Sequence, residues 1–130
     1  MSTLFTKICN GEIPSYKIAE DDKYLAFLDI FPIAKGHTLV IPKKEIDYLF
    51  DLDDELYKGL WLFAKKIATA MKKTIPCEKI GVAVVGLEVP HAHIHLVPIN
   101  GAYDIDFRKP KIKFSVEEFE GIARNISKAL

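Results

Sequence analysis

His91-Ala92-His93-Ile94-His95-Leu96-Val97 is the stretch on which the fold turns. A strand repeats every two residues, so alternate side chains leave on opposite faces. Read as a strand from His91 to Val97, the run sets His91, His93 and His95 on one face. Ala92, Ile94 and Leu96 share the other, which suits a sheet lying on an apolar core. Three of the chain's four histidines thus project from one side of one strand.

Outward from this run the pattern alternates strands with helices. Ile80 to Val85 (IGVAVV) reads as a strand of the fully buried type, joined to the histidine run through Gly86 to Pro90. Further upstream, Asp51 to Lys73 carries Leu56, Leu60, Phe63, Ala64, Ile67 and Met71 at spacings of three and four. That spacing makes one apolar face of a long helix. Asp53, Asp54 and Glu55 in its first turns and Lys72 and Lys73 in its last suit the helix dipole, and Pro76 stops it. Tyr16 to Ala19 and Tyr24 to Asp29 flank an acidic turn and suggest a hairpin. His37 to Ile41 reads as a buried strand closed by Pro42. Beyond the Asn100-Gly101 turn, Ser115 and Glu118 form a capping-box pattern that opens a helix to about Leu130. The order predicts an α+β fold with a mainly antiparallel sheet.

At 130 residues the chain is expected to form a single domain, residues 1–130. Eighteen basic and 18 acidic side chains cancel, which argues against general binding to a nucleic-acid backbone but not against one small phosphate ligand. Cys9 and Cys77 form no Cys-x-x-Cys pair, so no disulfide framework is expected. The N-terminal stretch lacks an apolar signal core. No segment approaches the ~20 apolar residues of a membrane span. A cytoplasmic setting without membrane attachment is expected.

Three readings of the histidine face stand side by side: a solvated surface, a metal site, and phosphorus chemistry. Neutral imidazoles bind zinc. Imidazole also titrates near neutrality and can act as nucleophile, donor or acceptor. His37, directly after Gly36 at a loop-to-strand junction, is a fourth candidate.

The run His91-Ala-His93-Ile-His95-Leu-Val resembles the signature of the histidine triad (HIT) family. Leu4-Phe5, Gly11-Glu-Ile-Pro-Ser15, Leu25-Ala-Phe-Leu-Asp-Ile30 and Gly36-His-Thr-Leu-Val-Ile-Pro-Lys-Lys44 resemble other family segments in order, from about Leu4 to Pro98. The resemblance implies a HIT-like α+β fold: a five-stranded antiparallel sheet, one long helix and a C-terminal helix, paired as a homodimer. It implies hydrolysis or transfer at the α-phosphate of nucleoside phosphoramidates or dinucleoside polyphosphates, on a purine nucleotide or dinucleotide. No cofactor and no catalytic metal are implied. His93 would be the nucleophile, His91 would orient it, His95 would contact phosphate oxygens near the leaving group, and His37 would support the network. Asp29 would accept from the ribose hydroxyls, and Phe5, Phe27, Ile30 and Val89 would line the nucleotide. Bottom-up, without the resemblance, Phe5, Phe27 and Ile30 read first as packing residues, and Asp29 reads also as a turn cap.

Two departures stand out. Some family members hold a structural zinc through an N-terminal Cys-x-x-Cys pair and a histidine after the Pro-Lys-Lys run. Here those positions read Thr3, Thr6 and Glu45, so no structural zinc is expected. Leu87 stands where a Gln is common in the family, and Glu88 where a small polar donor is often found before the triad. They keep open an alternative: a nucleotide-binding regulatory protein with little turnover. Arg108, Lys109 and Lys111 could meet a phosphate but read more simply as a solvated basic run.

Overall fold

The computed structural model describes residues 3–130. Its sheet has five strands, β1 (Lys17–Glu20), β2 (Tyr24–Leu28), β3 (Thr38–Pro42), β4 (Lys79–Ala83) and β5 (Ile94–Ile99), in the spatial order β1-β2-β3-β5-β4. Each neighbouring pair is antiparallel. Three helices accompany it: α1 (Leu4–Cys9), α2 (Asp54–Thr74) and α3 (Val116–Lys128). The protein therefore has the expected α+β architecture.

The long helix forms where the three-and-four spacing places it. Asp53 caps it by accepting the Leu56 N–H, and Leu60, Ala64, Ile67, Ala70 and Met71 are buried on its inner face. They pack on Ala26, Leu28, Val40, Ile94 and Leu96, the residues that alternate onto one face of β2, β3 and β5. Burying a side chain such as Leu60 or Ile67 stabilises by about 1.5–3 kcal/mol. α3 seals the same layer with Phe119, Ile122, Ala123 and Ile126, and both halves of the Ser115–Glu118 capping box are formed. On the opposite face Phe5, Leu25, Phe27, Leu39 and Ile41 make a second, smaller cluster covered by α1.

Several boundaries differ from the sequence expectation. The histidine strand begins at Ile94, not His91. The reason lies in its main chain: the His91 carbonyl is taken by the His93 ring and the Ala92 N–H donates to Ile46, so neither joins a ladder. β2 stops at Leu28 and β3 starts at Thr38, which places Asp29 and His37 just outside the sheet. β4, expected to be fully buried, is the sheet edge and only partly covered, with Val82 exposed. The long helix starts at Asp54, after a 3-10 turn at Leu49–Asp51. α1 was not anticipated; six residues are too few for a periodic pattern. Among the described residues no helix is long and apolar enough to cross a membrane.

Candidate active site

Gly36 delivers His37 to the sheet. Its φ of +86° favours glycine, and a Cβ there would strike Ile75 Cδ1. His37 is buried, and its Nδ1 accepts the Ile33 N–H at 3.2 Å. An amide N–H can only donate, so Nδ1 is bare and the ring proton sits on Nε2. From there it donates to His95 Nδ1 at 2.9 Å, with Asp29 Oδ2 3.6 Å away. His95 Nδ1 is then an acceptor, and its Nε2 carries the proton.

The other two rings are fixed by carbonyls. His93 Nδ1 lies 2.7 Å from the His91 carbonyl oxygen, and His91 Nε2 lies 2.7 Å from that of Pro42. A carbonyl can only accept, so both nitrogens are N–H donors. In the neutral ring this tautomer puts the His93 lone pair on Nε2. His91 is left with one on Nδ1, which accepts from the Thr3 hydroxyl at 3.1 Å. The three carbonyl and amide anchors therefore set the proton placement of every histidine in the chain.

Burial decides the charges. It pushes His37 down to about 4, with Lys111 and the neighbouring His93 acting in the same direction. It pushes His95 down to about 3, helped by His93 and His37 and opposed by Asp29. His91 is lowered by burial against the opposing pull of the Pro42 carbonyl and Glu45. These three rings are neutral at neutral pH. His95 can therefore donate from Nε2, beside a His93 ring 4.9 Å away whose Nδ1–H is tied to the His91 carbonyl. A bare imidazole nitrogen next to a neutral N–H donor suits nucleophilic attack on phosphorus, with the donor stabilising oxygens that gain charge.

The remaining sequence candidates fall into three groups. Phe5 packs edge-on against Phe27 at 5.6 Å and against the His93 ring at 5.0 Å, and Val89 packs on the same cluster. Asp29 caps its turn by accepting the Phe31 N–H at 2.8 Å while standing beside His37. Ile30 lies beyond β2 and is 55% exposed. Leu87 is 88% exposed and Glu88 is exposed, so both face water. Arg108 is spent on Asp106, with two contacts of 2.9–3.0 Å, and its side chain is exposed. Sequence reasoning missed Phe107, whose ring lies 4.6 Å from His95 and 6.1 Å from His37. The Ile112 N–H bonds the Pro32 carbonyl and ties this segment across the site. No periodic signal marked it.

Metal ligation fits poorly. Asp29, His37 and His95 bring ligand atoms within 4.8 Å of one another. A metal on His37 Nε2, however, would displace the proton that the Ile33 N–H forces there. Near α1, Thr3, Thr6 and Glu45 offer two hydroxyls and one carboxylate, already hydrogen-bonded to one another. Structural zinc sites are built from thiolates and imidazoles, and these residues do not fit one.

Comparison with known proteins gives consistent findings. The HIT domain model matches residues 10–101. The chain is 38% identical to an uncharacterised HIT-like protein of Borreliella burgdorferi, with 95% of each chain covered. It is 36% identical to the adenosine 5'-monophosphoramidase of Schizosaccharomyces pombe, covering 98% of this chain and 97% of the relative. The crystal structure of a HIT-like protein from Bartonella henselae superposes with a TM-score of 0.87 at 36% identity, covering 99% of this chain and 96% of that one.

Proposed function

This chain belongs to the HIT domain family, and from that premise we propose that it is a nucleotide hydrolase or transferase. It cleaves at the α-phosphate of a nucleoside phosphoramidate or dinucleoside polyphosphate. The observation that carries the reading is the 2.7 Å bond from His93 Nδ1 to the His91 carbonyl, which leaves Nε2 as a lone pair. His93 Nε2 attacks the α-phosphorus. An N–P bond forms as the bond to the leaving amine or phosphate breaks. His95 Nε2–H donates to a phosphoryl oxygen or the departing atom. Water then attacks the nucleotidyl-histidine and gives up a proton that replaces the one the leaving group carried off, the N–P bond breaks, and the nucleoside monophosphate leaves. Two easier displacements replace one hard one. Asp29 accepts from the ribose, and Phe5, Phe27, Ile30 and Val89 line the base. The relative named adenosine 5'-monophosphoramidase supports a phosphoramidate as first substrate to try.

A homodimer joined along the free edge of β4, where Val82 is exposed and Val84 and Val85 follow exposed beyond the strand's end, completes the proposal. The test is a chelator-washed assay of wild type and His93→Ala on adenosine 5'-phosphoramidate and a diadenosine polyphosphate. AMP release by wild type alone, with an adenylylated His93 trapped by acid-free quench and mass spectrometry, is the expected result. Nucleotide binding without release selects the regulatory alternative. Activity that requires added zinc overturns the nucleophile assignment.

A further inference from the structure

Thr3, Thr6 and Glu45 form a cluster that the reaction above does not use. Glu45 Oε1 accepts the Thr3 N–H at 2.7 Å and the Thr6 hydroxyl at 2.6 Å. The Thr6 proton is therefore committed to the carboxylate. Thr3 Oγ1 accepts the Thr6 N–H at 3.1 Å, and its own proton faces two acceptors, His91 Nδ1 at 3.1 Å and Thr6 Oγ1 at 3.3 Å, of which His91 is the nearer. His91 Nδ1 must accept, because Nε2 donates to Pro42. Both hydroxyls thus stand within reach of His91 Nδ1, Thr3 at 3.1 Å and Thr6 at 3.4 Å, and the network is continuous. It runs from Glu45 through both threonines to the His91 ring, and the main-chain carbonyl of that same residue holds His93 Nδ1. Phe5, on the helix that Thr3 caps, contacts both rings, at 5.9 Å and 5.0 Å.

We propose that Glu45, acting through Thr6 and Thr3, is a positioning residue for the histidine triad: it fixes the His91 ring and through it the carbonyl that aims His93. Hydrogen bonds occupy the corner where zinc-bearing members of the family are expected to hold their metal. The proposal rests on the nucleophilic role given to His93 above. The competing role is a staple that only ties α1 to the segment after β3. The hydrogen bonds from Thr3 and Thr6 also hold the Glu45 carboxyl below the usual carboxylate range, so it stays a pure acceptor near neutrality.

The experiment compares Glu45→Ala, Glu45→Gln and Thr6→Val with wild type. It reads kcat and KM on adenosine 5'-phosphoramidate, the thermal midpoint, and the imidazole 15N resonances. Glu45→Gln keeps an oxygen acceptor and is the conservative control. Thr6→Val leaves the charge in place and decides the question if Glu45→Ala does not fold, with unchanged kcat and His93 resonances overturning the proposal. A displaced nucleophile loses rate rather than substrate binding. Glu45→Ala and Thr6→Val are expected to lower kcat about ten-fold with KM within about two-fold, and Glu45→Gln to stay near wild type. The same two variants shift the His91 and His93 15N resonances. A folded Glu45→Ala protein with unchanged kcat and unchanged His93 resonances overturns the proposal, whatever its thermal midpoint. If wild type itself releases no AMP, the proposed reaction fails, and the His93 resonances alone decide whether Glu45 positions the ring.

Discussion

Acidification from pH 7 to pH 5 will destabilise this protein through its buried histidines. In the unfolded chain a histidine titrates near 6.5, whereas folded His37 and His95 titrate near 4 and near 3. The folded state therefore binds fewer protons than the unfolded state throughout this window. Stability is complete above the unfolded value and is lost as pH falls below it, by up to about 1.4 kcal/mol per pH unit for each ring. Between pH 7 and pH 5 that comes to about 2 kcal/mol per ring and about 4 for the pair, out of a typical 5–15. His91, lowered in the same direction, adds to the loss. The lowered carboxylates Glu20, Glu45, Glu118, Asp104 and Asp106 act only nearer and below pH 4.5, so they leave the window to the histidines. Urea unfolding at pH 7, 6 and 5 gives the slope. The double variant His37→Asn/His95→Asn, whatever its absolute stability, shows most of that slope gone. An unchanged urea midpoint between pH 7 and pH 5, or the same slope in the double variant, refutes the reasoning.

Gly36→Ala will cost about 1–3 kcal/mol by chemical denaturation, because the residue must keep φ near +86° and its methyl meets Ile75. Asp29→Asn keeps the turn bond to the Phe31 N–H and so leaves the thermal midpoint nearly unchanged while weakening nucleotide binding by calorimetry. A loss of stability without a loss of affinity would make Asp29 a turn residue only. Ser115→Ala removes one half of the capping box of α3 and lowers stability by about 1 kcal/mol. Exhaustive chelator dialysis leaves both AMP release and the thermal midpoint unchanged, and a drop in either would place a metal where the hydrogen-bonded corner stands.

The sequence made the long helix, the C-terminal helix and all five strands legible, because each had enough residues for its period to appear. The sidedness of Ala92, Ile94 and Leu96 held even where the strand bounds did not: all three pack with α2. His91 and His93 left the ladder because their polar groups found closer partners, which no alternation rule can register. An apolar run such as that around β4 reads alike whether central or at an edge, since only the chain order across the sheet distinguishes them. The resemblance named the four histidines, but proton placement required knowing which carbonyl and which amide face each ring. Phe107 carried no periodic signal that could point it at His95. The resemblance grouped Thr3, Thr6 and Glu45 as absent zinc ligands, but their link to His91 escaped because 88 residues separate Thr3 from it.

The anchors of the four rings are largely main-chain atoms: the Ile33 amide and the carbonyls of Pro42 and His91. Every residue type carries a carbonyl, and all but proline an amide N–H, so any residue at 42 and any but proline at 33 leaves the protons where they sit. What inheritance must conserve there is a path of the backbone rather than a letter. Substitutions at these two positions can drift while the tautomers stay put, and a shift of the chain can disarm the site with every histidine intact.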